Sequence, residues 1–292
     1  MFIATLIAAG RLGSGDISVA EDRLREAGVE PMGRSWVDPD SACDILFSAD
    51  PAIAAAALTG APHGIDVVVQ GEAGRRKKLL IADMDSTMIT VECIDELADY
   101  AGLKAEVSEV TERAMRGELD FESALRARVA LLKGLDETAI DRCRAERVTL
   151  TPGATALVRT MKREGAYCLL VSGGFSRFAD PVASEIGFDR AISNSLGVEG
   201  GRLSGTVGEP IVGAAAKREA LLDAAAAREI DLADTIAVGD GANDIPMLEA
   251  AGLGVAYLAK PKVAAAARAR IDHNDLGALL FAQGYARDEW EE

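Results

Sequence analysis

Carboxylates follow two apolar segments of this chain that lie far apart in the sequence. Asp83 and Asp85 come directly after the run Leu79–Ala82, and Asp240 comes shortly after the run Ile236–Val238. If both runs are strands of one sheet, their ends bring these acids to one point. Like-charge repulsion would destabilise such a cluster unless a hard divalent cation neutralises it, and Mg2+ is the expected ion. The pattern therefore predicts a site for metal-assisted phosphoryl transfer.

The two acids of the first segment suit different steps of such a reaction. An aspartate has an ordinary pKa of about 3.9, so Asp83 is expected to be ionised and to attack phosphorus without a base. Asp85 is placed to protonate the leaving alkoxide and later to take a proton from water. The expected metal ligands are Asp83, Asp240 and Asp85, the last through its backbone carbonyl. Taken alone, the segment fits a helix N-cap or a turn equally well.

Three further motifs supply groups that a phosphate needs. Ser172 and Gly173 follow an apolar run and are expected to donate hydrogen bonds to phosphate oxygens at a helix N-terminus. Lys217 would add a fixed positive charge, although a lysine in a helical run is usually a solvated surface charge. Small residues around Asp240 and Asp244 allow the backbone to approach an ion closely. Asp244 is expected behind the metal ligands, or as a first-turn acid of a helix.

The scaffold for these residues is indicated by apolar runs rich in β-forming residues, with helix-length segments between them. These runs are Leu79–Ala82, Tyr167–Val171, Thr235–Val238 and Leu253–Leu258. The alternation predicts a parallel sheet covered by helices. In such sheets the ligand crevice lies outside the carboxyl ends of the strands, where Asp83, Ser172 and Asp240 all fall.

Three segments stand outside this alternation. Residues 91–150 have a mostly helical pattern and are too long for a crossover, so we interpret them as a helical cap. Residues 1–75 mix short β and helical patterns, and the glycine-containing basic run at 71–78 marks a boundary near residue 75. The expected fold class is α/β: a Rossmann-like parallel sheet with an inserted helical cap in residues 76–292, preceded by a small α+β N-terminal domain. Residues 191–207, rich in glycine, are expected to form a hairpin.

Composition restricts the partners. The chain has 47 acidic and 31 basic residues, a formal net charge of -16, which disfavours nucleic acid and anionic membrane surfaces. The four cysteines are scattered without zinc-site spacing, so we expect reduced thiols. The apolar opening Phe2–Ala9 has no basic flank and is far shorter than the roughly 20 residues that span a bilayer. We interpret it as a strand, and we expect a cytoplasmic protein.

Over about residues 77–292 the chain resembles the haloacid-dehalogenase-like phosphatases. The resemblance rests on the motifs described above, which occur in the family's order, and it implies a Mg2+ cofactor. It implies that Asp83 is the nucleophile, that Asp85 is the general acid and base, and that Asn243 helps to hold the phosphate. Residues 1–75 match less well. In related bacterial enzymes an amino-acid-sensing module occupies this position, and the segment is a candidate for a diverged version to which we assign no ligand.

The cap adds a narrower resemblance. Stretches 91–98 and 114–129 are similar to those that carry phosphoserine recognition in this family. By that resemblance Glu92 pairs with the substrate ammonium and Arg128 with its carboxylate, as a zwitterionic head group requires. Without it, both would be taken for exposed charges on helices. By the same resemblance, Met115 and Phe121 supply apolar side chains that cover the site.

The resemblance implies a small-molecule substrate and a definite reaction. O-phospho-L-serine would be hydrolysed to L-serine and phosphate through an aspartyl-phosphate, as in L-serine biosynthesis. Two alternatives stay open. One is a related phosphatase or phosphotransferase acting on another small phosphate ester, such as phosphohomoserine. The other is an amino-acid sensor on a phosphatase scaffold, against which the intact set of acids, serine and lysine argues, because binding alone needs no nucleophile.

Overall fold

The computed structural model describes residues 1–60, 64–115 and 118–292. Its amino-terminal elements are β1 (Phe2–Ala8), α1 (Ser14–Glu26), β2 (Gly33–Asp38), β3 (Ala42–Phe47), α2 (Pro51–Leu58) and β4 (Ile65–Gly71). The strands form an antiparallel sheet in the order β2-β3-β1-β4. Helices α1 and α2 pack on the face that carries Leu6 and Ile45. Helix α2 begins at a proline, and the side chain of Asp50 caps it by accepting a hydrogen bond from the Ala52 amide.

The remaining strands are β5 (Leu79–Ala82), β6 (Tyr167–Phe175), β7 (Arg190–Asn194), β8 (Leu196–Glu199), β9 (Arg202–Val207), β10 (Thr235–Gly239), β11 (Leu253–Tyr257) and β12 (Ala269–Ile271). Apart from β8 and β9, they form one sheet in the order β12-β11-β10-β5-β6-β7. Each neighbouring pair in it is parallel. Strands β5, β10 and β11 are buried along their whole length, which is why they appear in the sequence as continuous apolar runs. The predicted fold class is confirmed.

Helices fill the long insertion after β5 and cover the sheet. Those of the insertion are α3 (Cys93–Tyr100), α4 (Lys104–Met115), α5 (Phe121–Leu131) and α6 (Thr138–Arg147). Those that follow are α7 (Ala154–Arg163), α8 (Ser176–Ile186), α9 (Ala214–Ala227), α10 (Ile245–Ala250), α11 (Pro261–Ala266) and α12 (Ala278–Ala282). Helix α5 begins where the side chain of Asp120 accepts a hydrogen bond from the Ser123 amide. We refer to α3–α6 as the cap.

The glycine-rich segment at 191–207 differs from the predicted hairpin. Its first residues belong to β7 of the parallel sheet, and the antiparallel hairpin is formed by β8 and β9 alone. This hairpin lies against the cap: a Cβ atom at Gly205 would come within 2.9 Å of Lys133 Cβ, just after α5, and 3.4 Å from the Ala130 backbone of α5. Strand β9 of the hairpin therefore packs against α5.

Buried polar contacts join the amino-terminal sheet to the carboxyl-terminal part of the chain. The guanidinium of Arg75 donates to the Asp44 carboxylate at 2.6 Å and to the Ala282 carbonyl at 3.3 Å. Asp66, which is 4% exposed, accepts hydrogen bonds from the backbone amides of residues 272, 273 and 274. The predicted boundary near residue 75 falls between β4 and β5, and the division into two domains stays a prediction.

Replacing Asp66 by alanine is expected to lower the free energy of unfolding by about 2–4 kcal/mol, because three backbone amides and the side chain of Asn274 lose a charged acceptor. Urea unfolding measures this loss. The matched control is Asp223→Ala, which removes an exposed aspartate of α9 and should change stability by no more than about 0.5 kcal/mol. Equal stability of the two variants would contradict the expectation.

Two predictions from composition can be compared with the structure. All four cysteines are free and buried, as expected for reduced thiols. Burial raises the pKa of Cys43 to about 11, so this thiol stays protonated at neutral pH. None of the helices in the described part of the chain combines the length and the apolar character that crossing a bilayer requires.

Candidate active site

The ends of β5 and β10 bring the predicted acids together. The Asp83 amide donates to the Val238 carbonyl at 3.0 Å, which joins the two strand ends directly. Between the acids lies Lys217, whose Nζ donates to Asp83 Oδ1 at 2.6 Å and to Asp244 Oδ1 at 2.7 Å. The lysine is fully buried, so it is not the solvated surface charge that its position in an alanine-rich helix suggests. It is a buried cation held between two of the clustered acids.

Three carboxylates meet in a geometry that suits a metal ion. Oxygen atoms of Asp83, Asp240 and Asp244 all lie within 4.8 Å of one another. Lys217 contributes a single positive charge to these three acids, and hard carboxylate oxygens are the ligands that Mg2+ prefers. The residues therefore fit a divalent cation. Asp244 was expected behind the metal ligands, but one of its oxygen atoms lies among those of Asp83 and Asp240. The ligand role of the Asp85 carbonyl stays a prediction.

Electrostatics in this cluster are unfavourable without a cation. Burial and the neighbouring Asp244 carboxylate raise the pKa of Asp83 well above its ordinary value, although Lys217 opposes the shift. Burial would by itself lower the pKa of Lys217, but Asp83 and Asp244 together raise it. Burial and Asp244 also raise the pKa of Asp240 to about 6. The ionised nucleophile assumed from the sequence therefore depends on the positive charge around it.

Asp85 is held from both sides of the cleft. Its Oδ1 accepts a hydrogen bond from the Cys93 amide at 2.8 Å, at the start of α3 in the cap. Its Oδ2 accepts from Ser172 Oγ at 3.3 Å, at the end of β6. A side chain at Gly174 would come within 2.7 Å of the same Oδ2, so only glycine fits beside this carboxylate. Asp85 is thus oriented by the cap and the sheet together.

A tight turn directs Glu92 toward the same cleft. Ser86 has a φ of 54°, a left-handed conformation that non-glycine residues rarely adopt, and its Oγ donates to Glu92 Oε1 at 2.8 Å. Glu92 is exposed to the cavity, yet crowding by protein atoms and the charge of Asp85 raise its pKa to about 7. A cationic group bound beside Glu92 would restore its ionised form.

A cavity of about 590 Å³ lies between the strand ends and the cap. Its walls hold predicted residues from both sides, namely Asp83, Asp85, Glu92, Phe121, Arg128, Gly173, Asp240 and Asn243. The Nε atom of Arg128 is buried without a hydrogen-bond partner, which suggests a place for a further acceptor. The predicted contribution of Met115 concerns a side chain outside the described residues. A smaller cavity of about 260 Å³ between α2, β4 and β12 contains none of the predicted site residues.

Thr87 and Lys260 contribute to the acid cluster although neither is assigned a role from the sequence. Thr87 Oγ1 donates to Asp240 Oδ1 at 3.3 Å and so orients one of the clustered acids. Lys260, which follows β11, lines the cavity and lowers the pKa of Asp240 against the stronger effect of burial. Both follow strand ends on the edge where the acids lie. Their position shortly after a strand end is the sequence signal from which they could have been predicted.

The stability of the metal-free protein is expected to fall as pH rises from near 4 to about 7. Asp240 and Glu92 have raised folded-state pKa values, about 6 and about 7, so their contribution is complete below the unfolded values and is lost as they ionise. Thermal unfolding in chelator across this range measures the slope. Adding a divalent cation should flatten it. Identical slopes with and without cation would contradict this account of the cluster.

Comparison with known proteins agrees with the geometry of the site. The model of the haloacid dehalogenase-like hydrolases matches residues 80–249. The chain is 47% identical over 276 residues to a phosphoserine phosphatase of Streptomyces coelicolor, an alignment that covers 92% of this chain and 67% of that protein. The chain belongs to the haloacid dehalogenase-like hydrolases, and the predicted family is confirmed.

Solved structures extend the comparison. The unliganded structure of a probable phosphoserine phosphatase from Vibrio cholerae superposes with a TM-score of 0.79 and 34% identity, over 98% of this chain and 88% of that one. A phospho-aspartyl intermediate analogue of phosphoserine phosphatase gives a TM-score of 0.66 and 41% identity, over 70% of this chain and 98% of that one. The chain spans between 57% and 67% of the length of three curated relatives, all of them phosphoserine phosphatases.

Proposed function

We propose that this protein is a Mg2+-dependent phosphomonoesterase that hydrolyses O-phospho-L-serine to L-serine and phosphate. One observation carries the proposal. A single cavity has Asp83 and Asp85 at its floor and, on its cap side, one acid and one base, Glu92 and Arg128. The floor suits a phosphate ester, and the opposite charges above it suit a zwitterionic amino-acid head group. The relatives at 46–47% identity are phosphoserine phosphatases, which supports the same substrate.

The first half-reaction transfers the phosphoryl group to the protein. An Oδ atom of Asp83 attacks phosphorus, an Asp83–phosphorus bond forms, and the bond from phosphorus to the serine oxygen breaks. Asp85 donates its proton to that leaving oxygen. Its pKa is raised by burial, although the Cys93 amide opposes the shift, and a raised pKa favours the protonated acid that this step requires. L-serine is the first product.

The second half-reaction releases phosphate. Asp85, now a carboxylate, takes a proton from a water molecule as that water attacks phosphorus. The bond between phosphorus and Asp83 breaks, and the nucleophile is regenerated. Lys217 donates a hydrogen bond to Asp83 Oδ1 at 2.6 Å, which orients the carboxylate for attack. One acid therefore serves both halves of the cycle.

The proposed cation is Mg2+, held by Asp83 and Asp240 with the Asp85 carbonyl, and supported by Asp244. When bound, it offsets the repulsion between the acids and a phosphate dianion. The donor set supports this choice, because all the clustered side-chain ligands are hard oxygens. Gly173 and Asn243 line the same cavity, and together with Ser172 they would donate hydrogen bonds to phosphate oxygens.

A phosphate-release screen tests the proposal. Phosphoserine, phosphothreonine, phosphohomoserine and sugar phosphates are offered with MgCl2 and with chelator, and L-serine is quantified beside phosphate. We expect phosphoserine to give the highest kcat/KM and chelator to abolish turnover. Preference for another ester, or transfer of phosphate to added homoserine, would favour the phosphotransferase alternative. Serine binding without turnover would favour the sensor.

The head-group assignment has its own test. Replacing Arg128 by glutamine should raise the KM for phosphoserine by about 10- to 100-fold, since a charge-assisted contact contributes roughly 1.5–3 kcal/mol. A substrate without the carboxylate, phosphoethanolamine, should be affected far less. The matched control is Arg126→Gln, which removes an exposed arginine of the same helix that pairs with Glu209 outside the cavity. Equal losses on both substrates would contradict carboxylate binding by Arg128.

A further inference from the structure

The phosphate-binding loop of this site is a bulge in the sheet. Strands β6 and β7 are in register from Leu169 to Val171, which faces Ile192, and again where Phe175 faces Asn194. Ser172, Gly173 and Gly174 therefore stand opposite a single residue of β7. A bulge removes backbone groups from the ladder, so these groups need other partners if the loop is to keep one shape.

The side chain of Asn194 supplies one of those partners. It is 1% exposed, and its Nδ2 donates to the Gly173 carbonyl at 2.9 Å. Its Oδ1 accepts from the Val212 amide at 2.7 Å, and Nδ2 also reaches the Val212 carbonyl at 3.4 Å. One carboxamide thus bridges the bulge to a second segment, using a donor and an acceptor at the same time.

The second segment leads directly to the buried lysine. Val212 is followed by Gly213, the residue that precedes α9, and the Lys217 amide donates to the Gly213 carbonyl at 3.0 Å in the first turn. The position of Val212 therefore sets where α9 begins and where Lys217 enters the acid cluster. Asn194 connects this start to the Gly173 carbonyl through two short hydrogen bonds.

The two joined segments also form the surface against which Phe121 of the cap packs. A side chain at Gly173 would lie 3.1 Å from the Phe121 ring, and one at Gly213 would lie 3.4 Å from the same ring. Phe121 is the first residue of α5, the helix that carries Arg128. The distance between Gly173 and Gly213 therefore determines where the Phe121 ring packs, and with it the position of α5 above the reacting groups.

We propose that Asn194 is a positioning residue for catalysis. Its carboxamide holds the bulge at residues 172–174, the start of α9 and the packing surface of Phe121 in one arrangement. This inference rests on the proposed function, because it names a residue that serves the same site. Asn194 touches neither the reacting groups nor the cavity-lining acids in the contacts described above. Its effect on catalysis is exerted through Gly173 and Val212.

The test compares Asn194→Ala and Asn194→Asp with Asn274→Ala. Asn274 is a suitable control because its Nδ2 also donates to backbone, at 3.1 Å from the Ile7 carbonyl, but Asn274 does not line the cavity. For each variant we would measure thermal unfolding, kcat and KM for phosphoserine and for p-nitrophenyl phosphate, and the dissociation constant of inorganic phosphate. The phosphate titration needs no turnover, so it separates failure of this inference from failure of the proposed function.

Both Asn194 variants should lower kcat by about 10- to 100-fold, in line with the cost of displacing reacting groups by about 1 Å, and should weaken phosphate binding. The aspartate variant keeps an acceptor for Val212 but has no donor for Gly173, so Asn194→Asp should be at least as defective as Asn194→Ala. Asn274→Ala should lose thermal stability and keep wild-type kcat and phosphate affinity. Wild-type values in Asn194→Asp, or equal catalytic losses in the control, would overturn the inference.

Discussion

Replacing Asp83 by asparagine is expected to lower kcat by about 10³-fold or more, because an amide cannot form the acyl-phosphate bond. The fold should persist. In the metal-free protein Asp83 is buried beside Asp244, and both effects raise its pKa, so a neutral side chain removes an electrostatic strain. The melting temperature in chelator should therefore stay level or rise. Steady-state phosphate release and thermal unfolding together measure both effects.

The control for this variant is Asp223→Asn, the same change at an exposed position of α9. It should alter neither turnover nor stability. Labelling with a phosphorylated substrate and rapid acid quench should trap phosphate on the wild-type chain and not on Asp83→Asn. Turnover by Asp83→Asn within tenfold of the wild type would reject Asp83 as the nucleophile and, with it, the proposed mechanism.

Replacing Lys217 by methionine is expected to destabilise the metal-free protein by about 3–5 kcal/mol, because two buried carboxylates lose the cation between them. The loss should be smaller with Mg2+ present, because a cation bound to the same carboxylates would supply part of the positive charge that the substitution removes. The substitution should also depress kcat, because Asp83 loses the contact that orients it at 2.6 Å. Urea unfolding with and without Mg2+ measures the first two effects.

The adjacent residue provides a sharp control. Arg218 is the next position on α9 and is exposed, so Arg218→Met removes a positive charge without touching the cluster. It should change stability by no more than about 0.5 kcal/mol. A second variant, Lys217→Met combined with Asp83→Asn, should recover part of the lost stability, because it leaves one buried acid fewer. Absence of any recovery would contradict the electrostatic explanation.

Continuous apolar runs made the central strands predictable. Strands β5, β10 and β11 are buried on both faces, so their sequences contain almost nothing but apolar residues. The strands that were missed lack this signal. Strand β2 lies at a sheet edge and is largely exposed, and β12 has three residues. Strand β7 contains polar residues at both ends, which made it look like part of a hairpin.

The candidate site was predictable to the extent that its residues follow strand ends. Asp83 and Asp240 do so, and Ser172 lies in the bulge near the carboxyl end of β6, at the same edge of the sheet. Lys217 could be named only from the family resemblance, because its partners Asp83 and Asp244 are 134 and 27 residues away in sequence. Burial of a lysine in an alanine-rich helix is a tertiary effect. No local pattern encodes it.

The amino-terminal sheet also shields part of the hydrolase half from water. Ile7, Ala42 and Val68 of that sheet belong to the same buried core as Leu279 of α12. A shortened chain that begins at residue 76 would expose this apolar surface, and such surfaces drive self-association. Loss of the sheet during evolution would therefore require polar substitutions on α12, and a truncated form intended for crystallisation would need the same changes to avoid aggregation through this surface.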